Sequence, residues 1–457
     1  MKIAVTGLWH LGCVTAACLA EHYDVVAHDR DGAVVDALRE GRPPLYEPGL
    51  SELLAEGVRG GRLRFTSDAS EAARDAEVLW IAHDTPVDER DVPDVDFVAR
   101  AVEEFLPLLR PGTLVVVASQ VPVGFVARME RRAAELGVAV TFASCPENLR
   151  LGNALEIYRR PDRIVAGVRT DADRARLGSI LAPFSANVVW MSPESSEMTK
   201  HALNAFLATS VTFINEIAGI CESVGADVKD VERGLKSESR IGPRAYLSAG
   251  SGFAGGTLAR DVRALIGMEL PAAPPRNVLA GVLETNELQR QWAERVLERE
   301  LGELRGARIA ILGLTYKPGT DTLRRSDSVA LGKRLHERGV TVSAYDPAVR
   351  TLPDDAAASI SLAGSAEGAL TDADAVVIGT AWPEFLELDA AGLTPMRAMR
   401  VLDPQRVLEA RLREAPGVRY FGVGLPRPES RATPAGPDAN DAMQAQPPDR
   451  RARTGAP

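Results

Sequence analysis

Short β-branched runs alternate with helical patterns from residue 1 to about residue 190, and this rhythm leaves few folds open. "KIAVTG", "DVVAHD", "EVLWIA", "TLVVVAS", "VAVTFAS", "RIVAGV" and "NVVWM" read as strands. The segments between them, such as "LGCVTAACLAEH" and "DRARLGSILAPF", read as helices. Strands that are apolar throughout and separated by helices make a parallel sheet covered on both faces. From about Ser195 to Leu304 the strand signals stop. "SSEMTKHALNAFLATSVTFINEIAGICESVG" is expected to be one long helix, and a second is expected through "NVLAGVLETNELQRQWAERVLEREL". Near Gly306 the alternation resumes with "ARIAILGL", "VTVSAYDP", "DAVVIGT", "MRVLDP" and "VRYFGVG". The fold class is therefore α/β: an α/β domain over 1–194, a helical middle over 195–304 and a second α/β domain over 305–424. Residues 425–457, rich in Pro, Ala, Asp and Arg, read as a disordered tail.

Charge narrows the partners. A formal net charge of −10 argues against nucleic acid, which needs a basic surface, but leaves room for an anionic small molecule held by local cations. The start, "MKIAVTG", passes straight into a strand, so no signal peptide is expected. No uninterrupted apolar run approaches the roughly 20 residues that span a bilayer, so neither is a membrane anchor. Cys13, Cys18, Cys145 and Cys221 lack metal-site spacing and read as reduced, partly buried thiols of a cytosolic protein. No metal site is expected.

Two glycine-rich turns follow first strands. "GLWHLG", Gly7 to Gly12, opens a helix, and Asp29 ends the second strand about 20 residues on, where a dinucleotide fold places a carboxylate on ribose hydroxyls. Trp9 stands where the middle glycine of G-x-G-x-x-G would let the backbone approach a pyrophosphate. Its indole either turns away from the ligand or fills the place of the phosphates. "GLTYKPGTDTLRRS" carries Lys317, Arg324 and Arg325, which suit a diphosphate or simply a solvated loop. In the middle helix, Lys200 and Asn204 lie four apart on one face. Such a lysine can stabilise a developing oxyanion or merely snorkel. Glu147, in "CPENLRLG", is open to acid–base work or is a plain surface carboxylate. "GSGFAGGTLARD" combines a glycine turn, a helix start and an Arg–Asp pair, yet has no cysteine, serine nucleophile or histidine.

The segments "PENLRLGNALEIYRRPDRIVAG", "KHALNAFLATSVTFINEIA", "SRIGPRAYLSAGSGFAGG", "GLTYKPGTDTLRRS" and "AYDP", in this order, resemble the UDP-glucose/GDP-mannose dehydrogenases over roughly residues 1–424. Those enzymes oxidise a nucleotide sugar's C6 alcohol to a carboxylate with two NAD. The resemblance implies a Rossmann-like NAD-binding domain, a central dimerisation region and a Rossmann-like domain that binds the UDP-sugar. It implies a cytoplasmic homodimer working in polysaccharide biosynthesis. It places Glu147, Lys200, Asn204, Thr257 and Asp261 in the catalytic set. NAD falls to Gly7, Leu11, Gly12, Asp29, Thr85 and Ser119. The nucleotide sugar, UDP-glucose by default, falls to Glu147, Arg240, Tyr246, Gly252, Lys317 and Arg324, with Phe253 in the glycine turn and Pro86 beside Thr85.

The departures lie where the resemblance puts the chemistry. The family's "GFGGSCFPKD" turn carries the cysteine that traps the C6 aldehyde as a thiohemiacetal; aligned without gaps, Thr257 takes that place, Ala259 the proline's and Arg260 the lysine's. Gln120 replaces the threonine of "STVP", Asp84 puts a carboxylate before Thr85-Pro86, and Asn148 and Leu151 alter the loop after Glu147. A hydroxyl is far less acidic than a thiol of pKa about 8.5, so Thr257 reads as a lost nucleophile. The expectation is a nucleotide-sugar 6-dehydrogenase, complete or stopping at the aldehyde. The alternatives are a nucleotide-sugar-binding pseudoenzyme and an enzyme that keeps its NAD for transient oxidation.

Overall fold

A computed structural model describes residues 1–88, 93–254, 256–269 and 274–426. It divides the chain into two compact units, one formed by 1–206 with 255–276, the other by 207–254 with the chain from 277 onward. The tail expected over 425–457 lies outside the described residues from 427 on.

The first unit holds an eight-stranded sheet. Its strands are β1 Lys2–Thr6, β2 Asp24–His28, β3 Leu63–Thr66, β4 Val78–Ile81, β5 Leu114–Val117, β6 Thr141–Ser144, β7 Ile164–Val168 and β8 Val188–Met191, in spatial order 3-2-1-4-5-6-7-8. Successive side chains of a strand point to opposite faces, so a strand buried on both sides must be apolar throughout. Ile3 and Val5 enter one core with Val78, Trp80 and Val116. Ala4 enters the other with Leu79, Ile81 and Val115.

Three expectations need correction. Strand β3, "LRFT", was not anticipated: it is four residues long and breaks its apolar run with the exposed Arg64. The sheet is not wholly parallel, since β6 and β7 pair antiparallel, Ala143 opposite Val168. Apolar runs show that a strand is buried, not which way it points. Third, the helix expected through 277–301 is two helices, Asn277–Arg290 and Trp292–Leu301. Gln291 leaves helical geometry at φ −92°, ψ 8° and bonds back only to Leu288 O, 3.2 Å away. The long helix does run unbroken, Pro193–Val224. By length and composition it is also long and apolar enough to cross a membrane, although 44% of that window is buried in protein.

The second unit repeats the device with six parallel strands: β9 Arg308–Leu312, β10 Thr341–Tyr345, β11 Ser361–Leu362, β12 Ala375–Ile378, β13 Arg400–Leu402 and β14 Arg419–Phe421, in order 11-10-9-12-13-14. The two-residue β11 also went unanticipated. The likeness between the sheets extends to single bonds. Gly7 and Gly313 both have φ +93°, their N–H groups donate to His28 O (3.0 Å) and Tyr345 O (2.8 Å), and the next N–H of each turn, Leu8 or Leu314, donates to Asp29 or Asp346.

Candidate active site

In the first sheet the strand order reverses between β1 and β4, and ligands of such sheets bind beyond the strand C-termini at that point. The turn after β1 tolerates no side chain at two places. A Cβ on Gly7 would meet the His83 ring at 2.6 Å, and one on Gly12 would lie 1.7 Å from Gly7 O. Helix His10–Ala20 therefore packs directly against the turn, with its free N–H groups beside the strand ends. Asp29 is half-buried; its Oδ2 accepts from Leu8 N (2.8 Å) and its Oδ1 from Asp31 N (3.0 Å), which fixes the carboxylate and leaves a lone pair on each oxygen for a ribose. Trp9 remains 49% exposed and does not line the cleft here, so its indole does not fill the phosphates' place. These residues fit a dinucleotide. Thr85 and Ser119 are buried with hydroxyls turned to backbone, Thr85 Oγ1 to Gln120 O (2.6 Å) and Ser119 Oγ to Ile81 O (3.4 Å).

The cleft is lined by His10 and Leu11 from this turn, His83, Asp84 and Thr85 after β4, Gln120 after β5, Glu147 after β6, Lys200 from the long helix, and Thr257 and Arg260. Each sits where it does for a local reason. Glu197, Lys200, His201 and Asn204 are three or four apart, so they share one face of helix Pro193–Val224, and Thr257 is the first residue of helix Thr257–Gly267, which carries Arg260 and Asp261 one turn further.

Asp261, 1% exposed, is the hub of a buried network. Gln120 Nε2 and His201 Nδ1 (2.9 Å) meet its Oδ1, and Asn204 Nδ2 donates to Oδ2. His201 Nε2 faces Val121 O at 3.0 Å, so both ring nitrogens are held by acceptors. Gln120 completes a relay, since its Oε1 accepts from Arg260 Nη2 while Arg260 Nε is buried without a partner. Lys200 Nζ donates to Glu147 O (2.7 Å) and Asn148 Oδ1 (2.8 Å), both neutral oxygens. Among the described residues no carboxylate lies within ion-pair distance of Lys200 or Arg260. Burial holds the Lys200 ammonium below its usual lysine range, against the pull of Asp261 and Glu147. Burial also pushes Glu147 up to about 7, with Lys200 pulling the other way.

Thus Asn204 and Asp261 form a buried pair behind the cleft, and Lys200 lines the cleft from the same helix face as Asn204 and bonds to the Glu147 backbone. Exposed Thr257 borders the cleft with no activating group bonded to it among the described residues. All four cysteines are buried and none lines the cleft; burial raises the Cys145 thiol far above its ordinary value. Sequence reasoning missed His201, which lay in "KHALN" at i−3 from Asn204 on an otherwise apolar helix. It also missed the bond from Asn148 to Lys200, for which no sequence signal exists.

The remaining predicted residues belong to the second unit. Gly252 packs against Asn286 and Arg290, where a Cβ would come within 2.8 Å of both, and Phe253 N donates to Asn286 Oδ1 (2.8 Å). Arg240 is exposed and pairs with Glu238 (3.0 Å), Tyr246 and Arg324 are exposed, and Lys317 is half-buried in the turn after β9. Asp346, fully buried, accepts at Oδ2 from Leu314 N, Thr315 N, Thr315 Oγ1 and Trp382 Nε1 at 2.7–3.1 Å and at Oδ1 from Ala348 N (2.9 Å), so unlike the half-buried Asp29 it is committed to structure.

Three family descriptions match the chain in order: the NAD binding domain of the UDP-glucose/GDP-mannose dehydrogenase family at 1–185, its central domain at 194–288 and its UDP binding domain at 310–410. A UDP-glucose 6-dehydrogenase of Rhizobium meliloti is 37% identical over 437 residues, covering 93% of this chain and all of the relative. One of Pseudomonas aeruginosa is 38% identical over 452 residues, covering 93% and 98%. Among solved structures, a UDP-glucose dehydrogenase from the archaeon Pyrobaculum islandicum matches with TM-score 0.80 at 34% identity, covering 93% of this chain and 98% of its own.

Proposed function

The chain belongs to the UDP-glucose/GDP-mannose dehydrogenase family, and is an NAD-dependent oxidoreductase by that membership; on this premise we propose that it oxidises C6 of a UDP-hexose, UDP-glucose by default, and releases the aldehyde. The observation that carries the reading is Lys200 sharing one cleft with His10 and Leu11 of the glycine turn, with the bonded pair Asn204 and Asp261 buried behind it and no thiol lining it. Lys200 spends two N–H bonds on neutral oxygens, and its third is available to a C6 oxygen that is losing its proton. Glu147, pushed up to about 7, exchanges a proton at neutral pH. NAD, when bound, supplies the hydride acceptor. Asp261 orients Asn204 and, through Gln120, Arg260. Thr257 offers a hydroxyl with no base beside it, so covalent capture of the aldehyde, which a second oxidation by the thiohemiacetal route needs, is missing.

Lys317 and Arg324 are assigned to the nucleotide sugar, supported by the family's UDP binding domain over 310–410. Arg240, Tyr246 and Gly252, which lie in the family's central domain over 194–288, are assigned to it by the sequence resemblance. The protein is read as a homodimer, because its long helix exposes Phe206, Phe213 and Ile220 at intervals of seven residues, and as cytoplasmic from its likeness to the family.

The test is NADH formed per UDP-glucose, with the product identified by mass. One NADH and an aldehyde support the proposal; two NADH and a uronate overturn the aldehyde stop while leaving the enzyme class intact. A second reading, binding of a nucleotide sugar without turnover, is favoured by the Asp84 carboxylate, whose Oδ2 accepts from Leu11 N (3.3 Å) at the start of helix His10–Ala20. It predicts bound UDP-glucose with no NADH.

A further inference from the structure

Helix His10–Ala20 begins without the usual means of satisfying its first N–H groups. Its N-cap is Trp9, which makes no side-chain capping bond, and its first turn contains no acidic residue. In a dinucleotide fold this is where the cofactor's diphosphate sits, taken up by free N–H groups and the positive end of the helix. Here the chain brings its own anion. Asp84, in the loop after β4, directs Oδ2 to Leu11 N at 3.3 Å. The same cleft holds Arg260, a half-buried guanidinium bonded to the neutral Gln120 amide with its Nε buried and unpartnered, and Lys200, bonded only to neutral oxygens. The cleft therefore presents cations without carboxylate partners, while a carboxylate occupies the helix start.

We propose that Asp84 is an internal stand-in for the cofactor's diphosphate: its carboxylate accepts from the Leu11 N–H of the glycine turn, and a dinucleotide binds only by displacing it. This rests on the assignment of NAD to that turn. A like charge a few ångströms from a diphosphate in a partly desolvated site opposes binding, so the chain holds NAD more weakly than the same turn would with an uncharged residue at 84. Neither partner is close in sequence, and only the chain's return along β4 brings Asp84 to the helix start.

The experiment is calorimetric titration of the full-length protein and its Asp84→Asn and Asp84→Ala variants with NAD, ADP and adenosine. Thermal unfolding of each variant serves as the control for folding. Asparagine keeps an acceptor for Leu11 N and loses only the charge, so it separates charge from packing. The expected result is NAD and ADP binding roughly tenfold tighter in both variants, with adenosine unchanged, because only the first two carry the diphosphate. Weaker NAD binding in both variants would overturn the proposal and make Asp84 a direct ligand of the cofactor. Equal affinities in all three proteins would overturn it while leaving the cofactor site intact. Failure of all three proteins to bind NAD or ADP would instead remove the cofactor assignment on which it stands.

Discussion

Lys200 and Thr257 border the same cleft, yet their surroundings differ as chemistry requires. The lysine is held by two oxygens and lowered by burial, whereas the threonine is exposed at a helix start. Lys200→Ala should reduce kcat by a factor on the order of 10³ or more, whereas Thr257→Ala should change it by less than about threefold. Steady-state NADH formation checks both, and a large loss in the threonine variant would make the hydroxyl a participant. Thr257→Cys should add uronate to the products, read by mass. No gain in a variant that still binds NAD would mean that Gln120 and Arg260 have rebuilt the site around a different reaction.

His83 offers a test of a different kind. Burial lowers its pKa from 6.5 to about 4, and its Nε2 meets Thr6 Oγ1 at 3.3 Å while His28 Nδ1 meets the same hydroxyl at 3.0 Å. A folded pKa below the unfolded one means the unfolded chain binds more protons between pH 6.5 and 4, so stability falls as pH drops through that window. Glu147 and Glu197, both raised to about 7, act in the opposite sense between pH 7 and 4.5. The measurement is therefore a difference: from pH 7 to pH 5 the wild-type protein should lose about 2 kcal/mol more than His83→Gln, followed by urea unfolding at each pH.

At the scale of elements, the glycine turns and the central helix decide most. Helix His10–Ala20 touches its turn so closely that a Cβ on Gly12 would overlap Gly7 O. Gly12→Ala should destabilise the protein by about 3 kcal/mol and weaken NAD binding with it, because backbone, not a flexible side chain, must move. Unfolding curves and NAD titration on the same preparation check this. Much at this scale was legible. Short β-branched apolar runs such as "LVVV" between helical patterns are buried strands here, and the residue that the G-to-D spacing of the first turn singled out, Asp29, lies beside that turn, accepting from Leu8 N. What escaped was direction and interruption. Strand β7 carries the composition of its parallel neighbours but pairs antiparallel with β6, and Gln291 breaks a helix whose side-chain pattern continues through it.

For the whole molecule the open quantity is assembly. Phe206, Phe213 and Ile220 are 67%, 47% and 54% exposed on helix Pro193–Val224, and seven-residue spacing sets them on one face. Light scattering should give twice the chain mass for the wild type, and Phe213→Asp should shift it toward the monomer; a monomeric wild type would remove the dimer.

The sequence by itself determined the two α/β sheets with a helical middle, the glycine turns and the residue types at each family position, because these depend on local periodicity, backbone sterics and motif spacing. Its likeness to the family, aligned without gaps, implies that Thr257 takes the place of a thiol. Only the tertiary structure decided what those residues touch. Gln120 reaches Asp261 across 141 positions, Asp84 reaches Leu11 across 73, and Asn148 reaches Lys200 across 52. Such bonds join loops at the ends of different strands and helices, so no local pattern encodes them; they exist because the sheet brings its strand ends together at one edge.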